Sequence, residues 1–211
     1  MRLVLSALIA ALIPLPALAQ KAGGPPLRQV DFGDVITLPP AFASARGAEA
    51  DHLQQQGAGF LAEYFPRGST GADWTRLTTI TGNQGLARGQ NGRQAALATL
   101  DRLRDLYRGA CVGAIDHQDL TAPAVAGTRA TAAAWVGCSH VGATGLSEDV
   151  VALILVTDTN VLSVQLATRG AARPQALPRD PADWAARLAH LAQARVCTPP
   201  PGEAPPYPSC N

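Results

Sequence analysis

Phe60–Gly82 reads FLAEYFPRGSTGADWTRLTTITG, and this stretch decides the fold. It holds Phe60, Tyr64, Phe65 and Trp74, four of the chain's ten aromatic residues (Phe 4, Tyr 3, Trp 3). Leu53, Phe60, Ala62 and Tyr64 fall on or near alternating positions, with Gly57 and Gly59 between them. Pro66–Gly71 carries turn residues. Trp74, Arg76, Thr78 and Ile80 then alternate with Thr75, Leu77, Thr79 and Thr81, a β-branched run. Period-two alternation on both sides of a Pro/Gly turn predicts strand, turn, strand, with Tyr64 and Trp74 at least partly buried.

The neighbouring segments extend a sheet. Val30–Leu38 (VDFGDVITL) reads as a first strand ending at Pro39-Pro40, and residues 41–52 as loop or a helical turn. Asn83–Gly92 is glycine-rich loop. Arg93–Arg108 is a helix with Leu97, Leu100, Leu103 and Leu106/Tyr107 as its apolar stripe. Asn91 is its N-cap, Gln94 stands three residues on, and Gly109 suits a left-handed C-terminal position. The opposite face pairs Asp101 with Arg104 and Asp105 with Arg108.

Strands follow at Cys111–Leu120, Thr128–Cys138, Val150–Val156 and Val161–Thr168, with loops at 121–127 and 139–147. VVALILV at 150–156 is apolar throughout, as a strand buried on both faces must be. Asp158-Thr159-Asn160 turns it into the next strand. Asp180 caps a last helix, with Pro181 at its first position and Trp184, Leu188, Leu191 and Ala192 inward. The order β, β, β, helix, β, β, β, β, helix predicts an α+β fold: a single twisted, mainly antiparallel sheet packed by two amphipathic helices.

Met1-Arg2, the apolar run Leu3–Ile13, Pro14, Pro16 and Ala17-Leu18-Ala19 have the layout of a cleaved signal peptide over residues 1–19. The apolar run is shorter than the ~20 residues that span a bilayer. The expected organisation is then a flexible mature N-terminus at 20–29, one α+β domain at 30–197, and a Pro-rich tail at 198–211 tethered by Cys210. The expected location is periplasmic or secreted. Cleavage removes Arg2, leaving 16 basic against 16 acidic residues. A neutral chain lacks the basic surplus that nucleic acid or an anionic membrane would need.

Four cysteines in an exported chain imply two disulfides. Three pairings are possible. Cys111–Cys138 with Cys197–Cys210 is favoured, tying a helix end to a strand and stapling the tail. No CxxC spacing suggests a redox or zinc site.

FLAEYFP, the Gly-containing turn, DWTRLTTI and the helix after them, in this element order, resemble the Mog1/PsbP-like group of α/β/α domains over roughly residues 30–195. The resemblance implies a non-catalytic accessory or binding domain. That group has no common catalytic set, so no functional residue is carried over.

The chemistry-bearing candidates are few. Cys138-Ser139-His140 offers a thiol and an imidazole, against the simpler reading of a disulfide beside a loop histidine. Asp116, His117 and Asp119 offer metal ligands, but His52, His140 and His190 stand elsewhere. Glu63 and Asp73 offer an acid–base pair, although Asp73 also suits a turn cap. None of these patterns defines a catalytic or metal site, and no cofactor motif is present. The weak ligand-site candidates are Arg67 and Trp74 at the aromatic turn, and Arg88 and Arg93 flanking the glycine-rich loop at a helix N-terminus. The expected function is an exported, non-enzymatic accessory or binding protein for a cell-envelope protein or small ligand. The alternatives are a small hydrolase using His117, His140, Glu63 or Asp73, and a small-ligand or lipid carrier.

Overall fold

The computed structural model describes residues 24–210; the expected signal peptide lies outside them. The strands of the opening stretch form as expected: β4 (Gly59–Tyr64) and β5 (Arg76–Asn83) pair antiparallel with Tyr64 opposite Thr78. Tyr64 and Trp74 are both buried. Leu53 does not continue β4. It lies in β3 (His52–Gln56), which returns through Gly57 in a positive-φ turn.

The expected strand at 30–38 is two strands, β1 (Leu27–Asp31) and β2 (Asp34–Leu38). Phe32 and Gly33 between them have φ of 46° and 88°, the two-residue turn whose twist suits a hairpin. A bulky residue rarely accepts positive φ. Phe32 is held there by an edge-on contact with the Phe60 ring, 6.3 Å between centroids. The segment expected to be flexible at 20–29 is therefore strand from Leu27 onward, and Leu27 itself is core.

The remaining elements are α1 (Gly92–Ala110), β6 (Ile115–Leu120), β7 (Ala130–Val141), β8 (Leu146–Val156), β9 (Val161–Ala171), α2 (Pro181–Leu191) and β10 (Arg195–Cys197). Seven strands make one antiparallel sheet in the order β3-β4-β5-β9-β8-β7-β6. The expectation of a single sheet fails: β1, β2 and β10 form a second, three-stranded antiparallel sheet. The turn at Phe32-Gly33 is what frees β2 to pair with the distant β10.

Alternate residues of β7, β8 and β9 face opposite layers. Ala132, Ala134, Ala152, Ile154 and Val161 meet α1. Trp135, Val151, Leu153 and Val164 meet α2 and the inner face of the small sheet, through Trp184, Leu191, Leu27, Ile36 and Leu38. VVALILV is accordingly buried on both faces.

The stripe of α1 is rotated from the leucine pattern. Ala95, Ala96 and Leu100 are buried, with Leu103 and Tyr107 against the core, while Leu97 is 41% and Leu106 72% exposed. The spacing 96, 100, 103, 107 is a proper helical stripe, and its small residues match the alanines beneath. Asn91 caps the helix by accepting from Gln94 N. Gly109 stays helical. The helix ends because Cys111 is extended, bridged to Val141 and disulfide-bonded to Cys138.

Both expected disulfides are formed, with Cα atoms 5.7 Å apart in Cys111–Cys138 and 5.5 Å in Cys197–Cys210. The second brings the Pro-rich tail back across the small sheet, where Val35, Arg195, Ser209 and Cys210 line one cleft.

Candidate functional site

One concavity runs beside α2, where β5, β9 and residues 41–42 approach it. One part, about 280 Å³, is walled by Ala41, Phe42, Leu77, Leu166 and Ala186, with Arg76 at its rim. A second part, about 290 Å³, lies toward Arg173, Asp180 and Trp184. Thr168, Asp183 and Arg187 line both parts, so the two read as one groove, apolar at one end and charged at the other.

Asp149 organises the floor. Its carboxylate accepts from Trp135 Nε1 at 2.7 Å, from the Thr168 hydroxyl and from the Arg187 guanidinium. Arg187 also pairs with Asp183 at 2.6 Å and donates to Leu166 O. Trp135 stacks on Trp184, 4.5 Å between ring centroids. This arrangement follows from period: Asp149 and Val151 are on the α2 face of β8, and Arg187 follows Trp184 and Asp183 by about one helical turn. His190 contacts Pro39 O through Nε2 at 2.7 Å. Burial pulls its pKa down, outweighing the carbonyl contact. The neutral ring then donates from Nε2 and pins α2 to the segment leaving β2.

The opposite face carries a matching cluster one residue away on the same strands. Tyr107 OH donates to Glu148 Oε1 at 2.8 Å, and Arg169 Nε to Glu148 Oε2 at 2.9 Å. The Arg169 guanidinium lies 3.7 Å over the Trp74 ring. Burial first, then Glu148, pushes the Tyr107 hydroxyl well above its ordinary value. Both clusters pair their opposite charges, and Arg187 Nε stays buried with no hydrogen-bond partner among the described residues. At the rim, no acceptor meets the Arg76 or Arg173 side chain among the described residues.

The four ligand-site candidates divide into two places. Arg67 and Trp74 precede β5, and Arg88 and Arg93 follow it. An eight-residue strand separates them by ~23 Å. Trp74 is buried beneath Arg169, so it is no contact surface. Arg67 is exposed beside a small cleft with Phe42 and Ser44. Arg88 and Arg93 are exposed. The glycine-rich loop is fastened rather than open: Arg129 donates to Thr157 O, Gln90 O and Ala87 O.

The catalytic alternatives are dispersed. Cys138 is in a disulfide. Glu63 is on the second strand of the main sheet and His117 on the seventh, ~24 Å apart at ordinary strand spacing. Burial raises the Glu63 pKa, with His52 and Arg169 opposing. Asp73 accepts from Thr70 N and Thr70 Oγ1, and these bonds lower its pKa: it is a turn cap. Asp116 is paired with Arg179 and Asp119 with Arg104. Among the described residues no three His, Cys, Asp or Glu side chains are gathered around a common point.

The sequence reading did not single out Asp149, Thr168, Arg173 or Arg187. The available signal was Asp149 at the mouth of the apolar run, an acid whose strand parity points toward the Trp184 helix. The chain matches no protein-family model and no curated protein sequence.

Proposed function

We propose that this is a non-enzymatic binding protein of an oxidising compartment, periplasmic or extracellular, and that the groove beside α2 receives its partner. The observation that carries the reading is the contrast between floor and rim. Asp149, Arg187 and Thr168 are committed to one another, while among the described residues no acceptor meets the side chains of Arg76 and Arg173 beside the apolar wall of Ala41, Phe42 and Leu166. That pattern suits a partner-protein segment presenting an apolar side chain beside carboxylates. The two disulfides support an oxidising compartment. No helix among the described residues is long and apolar enough to cross a membrane.

The hydrolase alternative draws less support, since Glu63 and His117 stand on distant strands of the main sheet and Asp73 caps a turn. The test is site-specific photo-crosslinking in the producing cell from Ala186, which is exposed in the groove, and from Arg102, exposed on α1. A defined protein adduct from position 186, absent from position 102 and lost on Arg173→Glu, is the expected result. Equal adducts from both positions, or none from 186, would refute the groove.

A further inference from the structure

The joint between the two sheets is polar at its centre. Asp31, the last residue of β1, is 5% exposed, and its Oδ2 is buried without a hydrogen-bond partner. The carboxyl presses on the backbone of β5: a Cβ at Gly82 would stand 1.8 Å from Asp31 Oδ2 and 2.7 Å from the Phe60 ring. Only glycine permits that approach.

Asp34, across the hairpin turn, is treated differently. Its Oδ2 accepts from Thr157 Oγ1 at 3.0 Å and Asn160 Nδ2 at 2.9 Å, and its Oδ1 from Thr198 Oγ1. Three donors serve Asp34 and, among the described residues, none serves Asp31 Oδ2. Among the described residues no positive charge acts on Asp31. β4 and β5 meet it with Phe60 and Gly82, while Thr157 and Asn160 of the β8–β9 turn and Thr198 after β10 are the partners of Asp34. The charged group acting on Asp31 is Asp34, of like sign. Burial first, and Asp34 second, raise the Asp31 carboxyl to about 7.

We propose that this joint is a proton-operated latch: with its proton, Asp31 seats the β1–β2 hairpin on the main sheet, and without it two like charges meet where no described residue brings a cation, and the hairpin loosens. The hairpin supplies Leu27, Ile36 and Leu38 to the core and runs directly into Pro39, Ala41 and Phe42 at the groove. The latch stands on the joint alone. Its bearing on partner capture rests on the groove reading above.

The sign follows from linkage. An acid with a raised folded-state pKa favours the closed form fully below the ordinary Asp value of 3.8, and loses that advantage progressively up to about 7. Across that interval the opening equilibrium of the hairpin grows by up to about tenfold per pH unit, and above it the growth stops.

The test is amide hydrogen exchange of the full-length oxidised protein, corrected for intrinsic rates, from about pH 4.5 to about 8.5 in wild type and Asp31→Asn. Wild-type protection in β1 and β2 falls with that slope and levels off past neutrality, while β7 and β8 hold theirs. In Asp31→Asn the hairpin slope disappears. A slope unchanged in the variant overturns the latch. If Asp31→Asn does not fold, carbon-13 NMR of the wild-type Asp31 carboxyl decides: a midpoint near neutrality supports the latch, and one in the ordinary carboxylate range overturns it.

Discussion

Replacing Asp149 by alanine tests whether the groove floor is a closed network. The substitution strands the Trp135 N–H and the Thr168 hydroxyl and takes one of two carboxylates from Arg187 Nη2. The side chains of Arg187 and Asp149 are only 11% and 13% exposed, so little water reaches the vacancy. Breaking a buried ion pair from one side costs about 3–5 kcal/mol. Arg187 keeps Asp183 and Leu166 O, which offsets part of this. The expected loss is about 3–4 kcal/mol, a large share of the roughly 5–15 kcal/mol that holds a domain together. Asp183→Ala removes a partner that is 47% exposed and costs about 0.5 kcal/mol. Asp149→Asn keeps an acceptor for Trp135 and falls between the two. The assay is guanidinium unfolding with disulfides intact, followed by tryptophan emission, alongside the near-UV circular dichroism of the Trp135–Trp184 stack. A loss below about 1 kcal/mol for Asp149→Ala, with that dichroism unchanged, would refute the closed-network argument.

Three further outcomes follow from packing and covalent geometry. At Gly127, φ is 81° and a Cβ would stand 1.7 Å from Val196 O, so Gly127→Ala forces β10 off its seat and destabilises by at least about 3 kcal/mol in the same unfolding assay. The disulfides span 27 and 13 residues, and loop-closure entropy gives about 3.5 kcal/mol for Cys111–Cys138 and about 3 kcal/mol for Cys197–Cys210. Paired Cys→Ser variants measured by calorimetry should preserve that order. Arg129→Ala removes three bonds to carbonyls at the glycine-rich loop and at Thr157, so limited proteolysis should then cut within residues 84–91, where the wild type resists.

Much of the architecture was legible because it is written in period and punctuation. FLAEYFP and DWTRLTTI alternate, VVALILV is uniformly apolar, and Asp180-Pro181 announces a helix start, as found. The hairpin at Phe32-Gly33 was not legible, because a phenylalanine at positive φ is made tolerable by Phe60, a residue remote in sequence. The buried face of α1 was misplaced by weighting leucine over alanine, when the alanine-lined sheet below favours a small-residue face. The groove was hidden for a similar reason. Its floor joins Trp135, Asp149, Thr168 and Arg187 from three strands and a helix, and no local spacing relates them. The aromatic turn had drawn attention through Trp74, which turns out to be packing under Arg169.

The three-stranded sheet has a consequence for how the chain comes together. Its members are the first two strands of the described chain and the last, and β2 meets β10 roughly 160 residues away in sequence. That face of the core, with Trp135 and Val151 on it, therefore stays uncovered until nearly the whole polypeptide is available. A chain emerging gradually, amino end first, holds its hairpin in waiting while the large sheet assembles without it. The interval before β10 arrives is when a greasy surface is open to wrong neighbours, and Cys197 pairs with a cysteine only 13 residues further on. Closing that short loop fastens the tail over a sheet only just completed, so the final covalent step also seals the last seam.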